Sequence, residues 1–260
     1  MLYPKIQSLY KREGCGPYNE KLKRYESDVQ HKPRKSKIIE GDFSCEEFPS
    51  IRTWTITEKI DGTNCRITFK NGNIVAEDVQ DMEPKDASTV EFGGRTENAQ
   101  MPTGLIGYLQ RTFYVSKFIE IFPEAQEVRL FGEGYGNKIQ SGGYYRKDQA
   151  FILFDVWIDG YWLKRKEVET IATKLGIEFV HTIFHGDSQG KFSNKWTLDE
   201  IVEYVKSRKP SYFAKVDPDH VMEGVIARAE PPMLFRGSKL PIQFKLKCGD
   251  FDDVEDRITG

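Results

Sequence analysis

TEKIDGTNCR, residues 57–66, closes one alternating segment and opens another. From 52 to 69 apolar and β-branched residues alternate with polar ones, and Trp54, Ile56, Glu58 and Ile60 fall on one parity. That period predicts a strand, broken near Asp61 and Gly62. Lys59 then lies inside an apolar strand. Burial strips hydration from an ammonium group, which favours the neutral amine and makes such a lysine usable as a nucleophile. Gly62 would let a ligand or another backbone approach closely. Taken alone, K-x-D-G is a short pattern that a surface lysine before a turn also satisfies.

Outward from this segment, Asn71-Gly72 is a hairpin turn signal, with 73–76 as the returning strand. Apolar spacing predicts one helix over 105–122, stopped by Pro123. Residues 128–132 and 150–158 read as buried strands. Residues 166–175 read as a helix ended by Gly176, and 198–208 as a second helix stopped by Pro210. Strands follow at 224–228 and 242–246. Helices and strands mix without a βαβ rhythm, which predicts an α+β fold on antiparallel sheets. Residues 1–50, polar and rich in charge clusters, read as an N-terminal extension packed on a main domain at 51–260.

The chain has 260 residues, 38% hydrophobic and 30% charged, with a formal net charge of −2. This is long enough for a sizeable core and too balanced in charge for indiscriminate nucleic-acid binding. Contacts to nucleic acid would fall to local basic clusters: 21–24, 31–37, Arg146-Lys147 and 164–166. The longest apolar run, 150–158, is interrupted by Asp155 and is too short to span a bilayer. The first eleven residues lack the apolar segment of a secretory signal. Cys15, Cys45, Cys65 and Cys248 show no C-x-x-C spacing and fit a reducing cytoplasm. His181 and His185 are four apart, but their surroundings alternate like a strand and offer no third metal ligand. Arg165 and Lys166 read as decoration of a helix start.

EKIDGTN resembles the nucleophile motif of the covalent nucleotidyltransferases, which include DNA ligases, RNA ligases and capping enzymes. It looks most like the RNA ligase 2-like branch, where Glu precedes the lysine and Gly-Thr-Asn follows. Further segments resemble that family's motifs in order: GRT at 94–96, LFGEGYG at 130–136, FILFDVWI at 151–158, MEGVIAR at 222–228 and QFKLK at 243–247. The resemblance covers about three-quarters of the chain. It implies an antiparallel-sheet nucleotidyltransferase domain, ATP-grasp-like, with flanking helices. Larger ligases continue into a C-terminal domain; only thirteen acidic-leaning residues follow Lys247 here, so no OB domain is expected.

The resemblance also implies roles. Lys59 would attack the α-phosphate of ATP and carry AMP. The AMP would pass to an RNA 5′-phosphate, and a 3′-hydroxyl would then displace it. Lys245 and Lys247, on one strand face, would match the phosphate charge. Glu223 would hold Mg2+ or Mn2+. Glu133 would accept from the ribose hydroxyls, Phe154 would stack on adenine, and Glu58 would accept from its exocyclic amine. Arg95 would contact phosphate or the strand end, with Gly62, Thr63 and Asn64 beside the phosphates. Asp61 is left either a structural role or one in sealing. Gly132, Gly134 and Gly136 do not form a P-loop and read as turn residues. The expected activity is ATP-dependent RNA ligation in the cytoplasm, with RNA repair as the role that the resemblance implies. The alternatives are a DNA ligase, a GTP-dependent capping-type enzyme, or a non-catalytic module that binds RNA ends or nucleotides. Removing residues 1–40 is expected to weaken RNA binding while sparing lysine adenylation.

Overall fold

A computed structural model of the chain describes residues 2–12, 37–72, 88–96, 99–186 and 191–252, and the backbone of Tyr18–Asn19 and Arg24–Tyr25. The expected strand at 73–76, most of the basic clusters at 21–24 and 31–37, and Cys15 lie outside these residues. The chain divides into two compact units. The first is Met1–Pro4, Ile60–His181 and Tyr212–His220; the second is Lys5–Lys59, Thr182–Ser211 and Val221–Gly260. Among the described residues no helix is long and apolar enough to cross a membrane.

The first unit is built on a sheet whose strands run in the order Tyr161–Trp162, Gln149–Ile158, Glu127–Gly136, Thr63–Lys70 and Thr89–Gly93. Glu178–Phe179 pairs in parallel with Gln149–Ile158; the other pairings are antiparallel. Period-two alternation sends Cys65, Ile67, Leu130, Phe151 and Leu153 into one core, which residues of the helices Thr103–Thr112, Val115–Ile121 and Arg165–Leu175 complete. Tyr135, Ala150 and Ile152 enter a smaller cluster with Ile60, Tyr145 and Phe213.

The second unit carries a sheet in the order Gln7–Ser8, Gln243–Lys247, Gly224–Ala229 and Trp54–Glu58. Only the first pair is parallel. The helix Leu198–Lys206 turns Ile201, Val202 and Val205 into the core formed by Trp54, Ile56, Val225, Phe244 and Leu246. Its start is fixed by a capping box: Thr197 Oγ1 accepts from Glu200 N–H, and Glu200 accepts from Thr197 N–H.

The α+β fold on antiparallel sheets is as the periodicity predicts, as is the break between Trp54–Glu58 and Thr63–Lys70. Three local readings need correction. The single helix over 105–122 is two helices, because Phe113 and Tyr114 are extended; this turns both Phe113 and Phe118 into the core. Gly132 and Gly134 are not turn residues but lie inside the Glu127–Gly136 strand. A Cβ on Gly132 would collide with the Phe151 ring and the Ile152 carbonyl, and one on Gly134 with Leu105. Only Gly136, at the strand end, has a positive φ of 111°. Lys59, finally, lies one residue beyond its strand, although its N–H still donates to Gly224 O at 2.9 Å.

Candidate active site

In the second unit, neighbouring strands bring five of the expected residues together. Val225 pairs with Glu58, and Gly224 pairs with Lys247 on the other side. The Lys59 N–H bond to Gly224 extends this row, so Gly224 stands between the two lysine-bearing backbones. Its φ is +152°, and a Cβ would collide with Leu246 O and lie 2.6 Å from Lys247 Cα. A glycine is therefore needed at this crossing. Glu223, just before it, bridges the two lysines: Lys59 Nζ donates to Oε2 and Lys247 Nζ to Oε1, each at 2.5 Å. The Glu223 side chain is 16% exposed and that of Lys59 21%, so the pair is shielded but open to a ligand. Lys245 and Lys247 alternate with buried Phe244 and Leu246 and so share a face.

Glu58 is 4% exposed. Its carboxylate accepts from the Ser211 hydroxyl, a partner without any local signal in the sequence. Asp250 is a second residue that sequence reasoning missed. Its carboxylate accepts from Lys247 N–H at 3.0 Å and pairs with Arg12, which fixes the end of the lysine strand. Two amines on one carboxylate, with Lys245 on the same strand face as Lys247, leave this corner net positive, as a polyphosphate requires. The single carboxylate suits a magnesium-like cation, which keeps waters and takes few protein ligands. No group of three or more His, Cys, Asp or Glu side chains suited to a metal occurs among the described residues.

In the first unit, Asn64 and Glu133 are direct cross-strand partners and so share one sheet face. Asn64 Oδ1 is buried without a hydrogen-bond partner, a costly state that a ligand donor would relieve. Burial, with the Glu133 carboxylate nearby, pushes the Cys65 thiol up to about 12, so it is no nucleophile. Gly62 meets backbone rather than open space: a Cβ there would collide with Gly134 O and lie 2.8 Å from Glu133 Cγ. Asp61 N–H donates to the Tyr145 hydroxyl at 2.9 Å. Arg95 is exposed, two residues after Thr89–Gly93.

Phe154 sits at a β-bulge, where the register slips between Leu153 and Asp155. Bulges re-aim side chains, and this one leaves Phe154 half-buried against the cluster of Ile152 and Tyr135. The Tyr3 ring meets it edge-on at 4.9 Å. Arg165 is not surface decoration. Its guanidinium donates to Phe154 O at 2.7 Å and to Val180 O, clamping the bulge to the next strand.

A family model described as RNA ligase matches residues 52–247. Solved structures of Naegleria gruberi RNA ligase share the fold. A mutant with ATP and Mn is 16% identical, with a TM-score of 0.51, over 82% of this chain and 55% of that one. The same ligase with PPi is 16% identical, with a TM-score of 0.51, over 91% and 65%. Another mutant, with AMP and Mn, is 14% identical, with a TM-score of 0.52, over 81% and 54%. The chain thus spans little more than half of that ligase's length. A comparison with curated proteins finds no match.

Proposed function

The chain belongs to the RNA ligase family, and on that premise we propose that it is an ATP-dependent RNA ligase working through lysyl–AMP on Lys59. The observation that carries this reading is the Lys59–Glu223–Lys247 bridge, with 2.5 Å on either side of the carboxylate. A nucleophilic amine must first shed a proton, so the Lys59–Glu223 ion pair has to open before attack. The neutral Lys59 Nζ then attacks the α-phosphorus. A P–N bond forms, the bond to the β-phosphate bridging oxygen breaks, and pyrophosphate leaves with that electron pair. Lys245 and Lys247 supply fixed positive charge against the charge that develops.

The second half-reaction transfers AMP to an RNA 5′-phosphate and regenerates the Lys59 amine. Attack by a 3′-hydroxyl then forms the phosphodiester and releases AMP. A divalent cation, Mg2+ or Mn2+, would be held through Glu223 and would supply Lewis-acid neutralisation of the phosphates. Buried Glu58, oriented by Ser211, suits an adenine amine as hydrogen-bond donor. Glu133, Asn64, Gly62, Phe154, Asp61 and Arg95 keep the roles that the resemblance gives them. Use of ATP and a divalent metal is supported by the Naegleria ligase structures solved with ATP or AMP and Mn.

The test is incubation of purified protein with a divalent cation and α-labelled ATP, with GTP in parallel, followed by denaturing electrophoresis. Label from ATP alone, absent in Lys59→Ala, is the expected result. Label from GTP would turn the reading to a capping-type enzyme, and none from AMP-free protein would turn it to a binding module.

A further inference from the structure

The first unit holds an open cavity of about 530 Å³ lined by Glu178, Phe179, His181, Tyr212, Phe213 and Lys215. None of these residues belongs to the motifs described above. Four rings, Phe179, His181, Tyr212 and Phe213, line it. The His181 ring lies parallel to Phe213, 5° between planes and 5.6 Å between centroids. It stands perpendicular to Tyr212, at 83° and 5.1 Å, and meets Phe179 edge-on at 4.5 Å. Tyr212 is 74% exposed, whereas Phe213 beside it is 4% exposed and anchors the segment.

Both walls are held by backbone. Ile152 pairs with Glu178 and Leu153 with Phe179. Val180 N–H donates to Leu153 O at 2.9 Å, and the Arg165 guanidinium takes Val180 O. On the other wall Lys215 N–H donates to Tyr145 O at 3.0 Å. The polar floor is a carboxylate with two donors on it, Tyr135 O–H and Lys215 Nζ, at Glu178. Burial pushes His181 below the usual histidine range, so it presents a neutral ring at physiological pH.

We propose that this cavity takes one unpaired base of the RNA being joined, stacked on the exposed Tyr212 ring, with the perpendicular His181 ring beside it and Glu178 and Lys215 at its edge. Partly exposed rings beside a few hydrogen-bonding groups are the chemistry that single-stranded bases select, since every base offers a flat π-face. The volume is ample for a base and its sugar. The overall charge of −2 gives no general attraction to phosphate, so stacking has more to contribute here than in a basic protein. The proposal rests on the ligase reading for its ligand, and names the cavity as a contact for RNA distinct from the ATP-reactive lysine cluster.

The test measures binding of the full chain to a short single-stranded oligoribonucleotide by anisotropy, with lysine labelling by ATP measured in parallel. Tyr212→Ala is expected to weaken RNA binding by about 10-fold, within the range given by loss of one stacking ring. Tyr212→Trp is expected to restore it, with ATP labelling unchanged in both. An abasic residue moved along the oligonucleotide should weaken wild-type binding at one position and leave Tyr212→Ala indifferent there. Equal RNA affinity of wild type and Tyr212→Ala overturns the proposal. So does a raised ATP requirement for labelling with RNA affinity intact, which would assign the cavity to the nucleotide. If wild type takes no label from ATP while Tyr212→Ala still weakens RNA binding, the ligase reading fails and the cavity's role stands.

Discussion

At the residue scale, Gly224 shows how little side chain the lysine cluster tolerates. It stands between the Lys59 and Lys247 backbones, and a methyl group there would press on Leu246 and Lys247 main chain, which cannot move aside as a side chain can. Its positive φ adds strain for any other residue. Gly224→Ala should therefore cost about 1–3 kcal/mol as an overpacked site. Because Glu223 is the preceding residue, the same displacement moves the carboxylate that holds both amines. ATP labelling should fall at least about 10-fold even at temperatures where a thermal melt shows the variant folded. Normal labelling with an unchanged melt would mean that the backbone relaxes freely here. Lys59, Glu223, Lys245 and Lys247 were legible in the sequence because each sits in a short motif of fixed residue types. Ser211, Asp250 and Arg165 were not. They act on Glu58, Lys247 and Phe154 across long stretches of chain, and a hydroxyl, a carboxylate or a guanidinium used that way leaves no local pattern.

At the element scale, periodicity found the long central strands of both sheets but not Thr89–Gly93, Ile38–Phe43 or the two- and three-residue strands, and it misplaced what departs from regular geometry. The bulge at Phe154 and the extended pair Phe113-Tyr114 each add irregularity that a period of 2.0 or 3.6 cannot register. The short Glu178–Phe179 strand is tied down by side chains as well as by its ladder, and this tie is pH-dependent. Burial works against the Glu178 carboxylate, but hydrogen bonds from Lys215 and Tyr135 outweigh it and hold its pKa below the usual range. A lowered carboxylate pKa adds stability above the unfolded-state value, and that stability is lost as pH falls through the folded-state value. Glu178→Gln should thus melt lower than wild type at pH 7, with the gap closing below about pH 4. The side chain is 36% exposed, so solvent screening limits the difference to about 1 kcal/mol or less. A gap that persists unchanged at acid pH would assign the loss to packing rather than to charge.

At the scale of the whole molecule, the antiparallel α+β character was legible because each sheet obeys its own alternation. The division into two units was not, because each is assembled from distant stretches of chain. The N-terminal residues show the consequence. Read as sequence they look like a polar extension whose loss would spare lysine adenylation. In the second unit, however, Gln7 and Ser8 pair with Phe244 and Lys245, and Leu9 N–H donates to Lys245 O at 3.1 Å. Leu9 is fully buried, and Arg12 binds the Asp250 carboxylate that caps Lys247. Deleting residues 1–40 removes the strand beside Lys245 and leaves an unpaired sheet edge. It also forfeits about 1.5–3 kcal/mol of burial at Leu9 alone. ATP labelling and RNA binding should then fall together. Replacing only Lys32, Arg34 and Lys35 by alanine leaves that strand in place, so it should weaken RNA binding with labelling intact. Labelling that survived the deletion would show that the Gln243–Lys247 strand holds its lysines without an N-terminal neighbour.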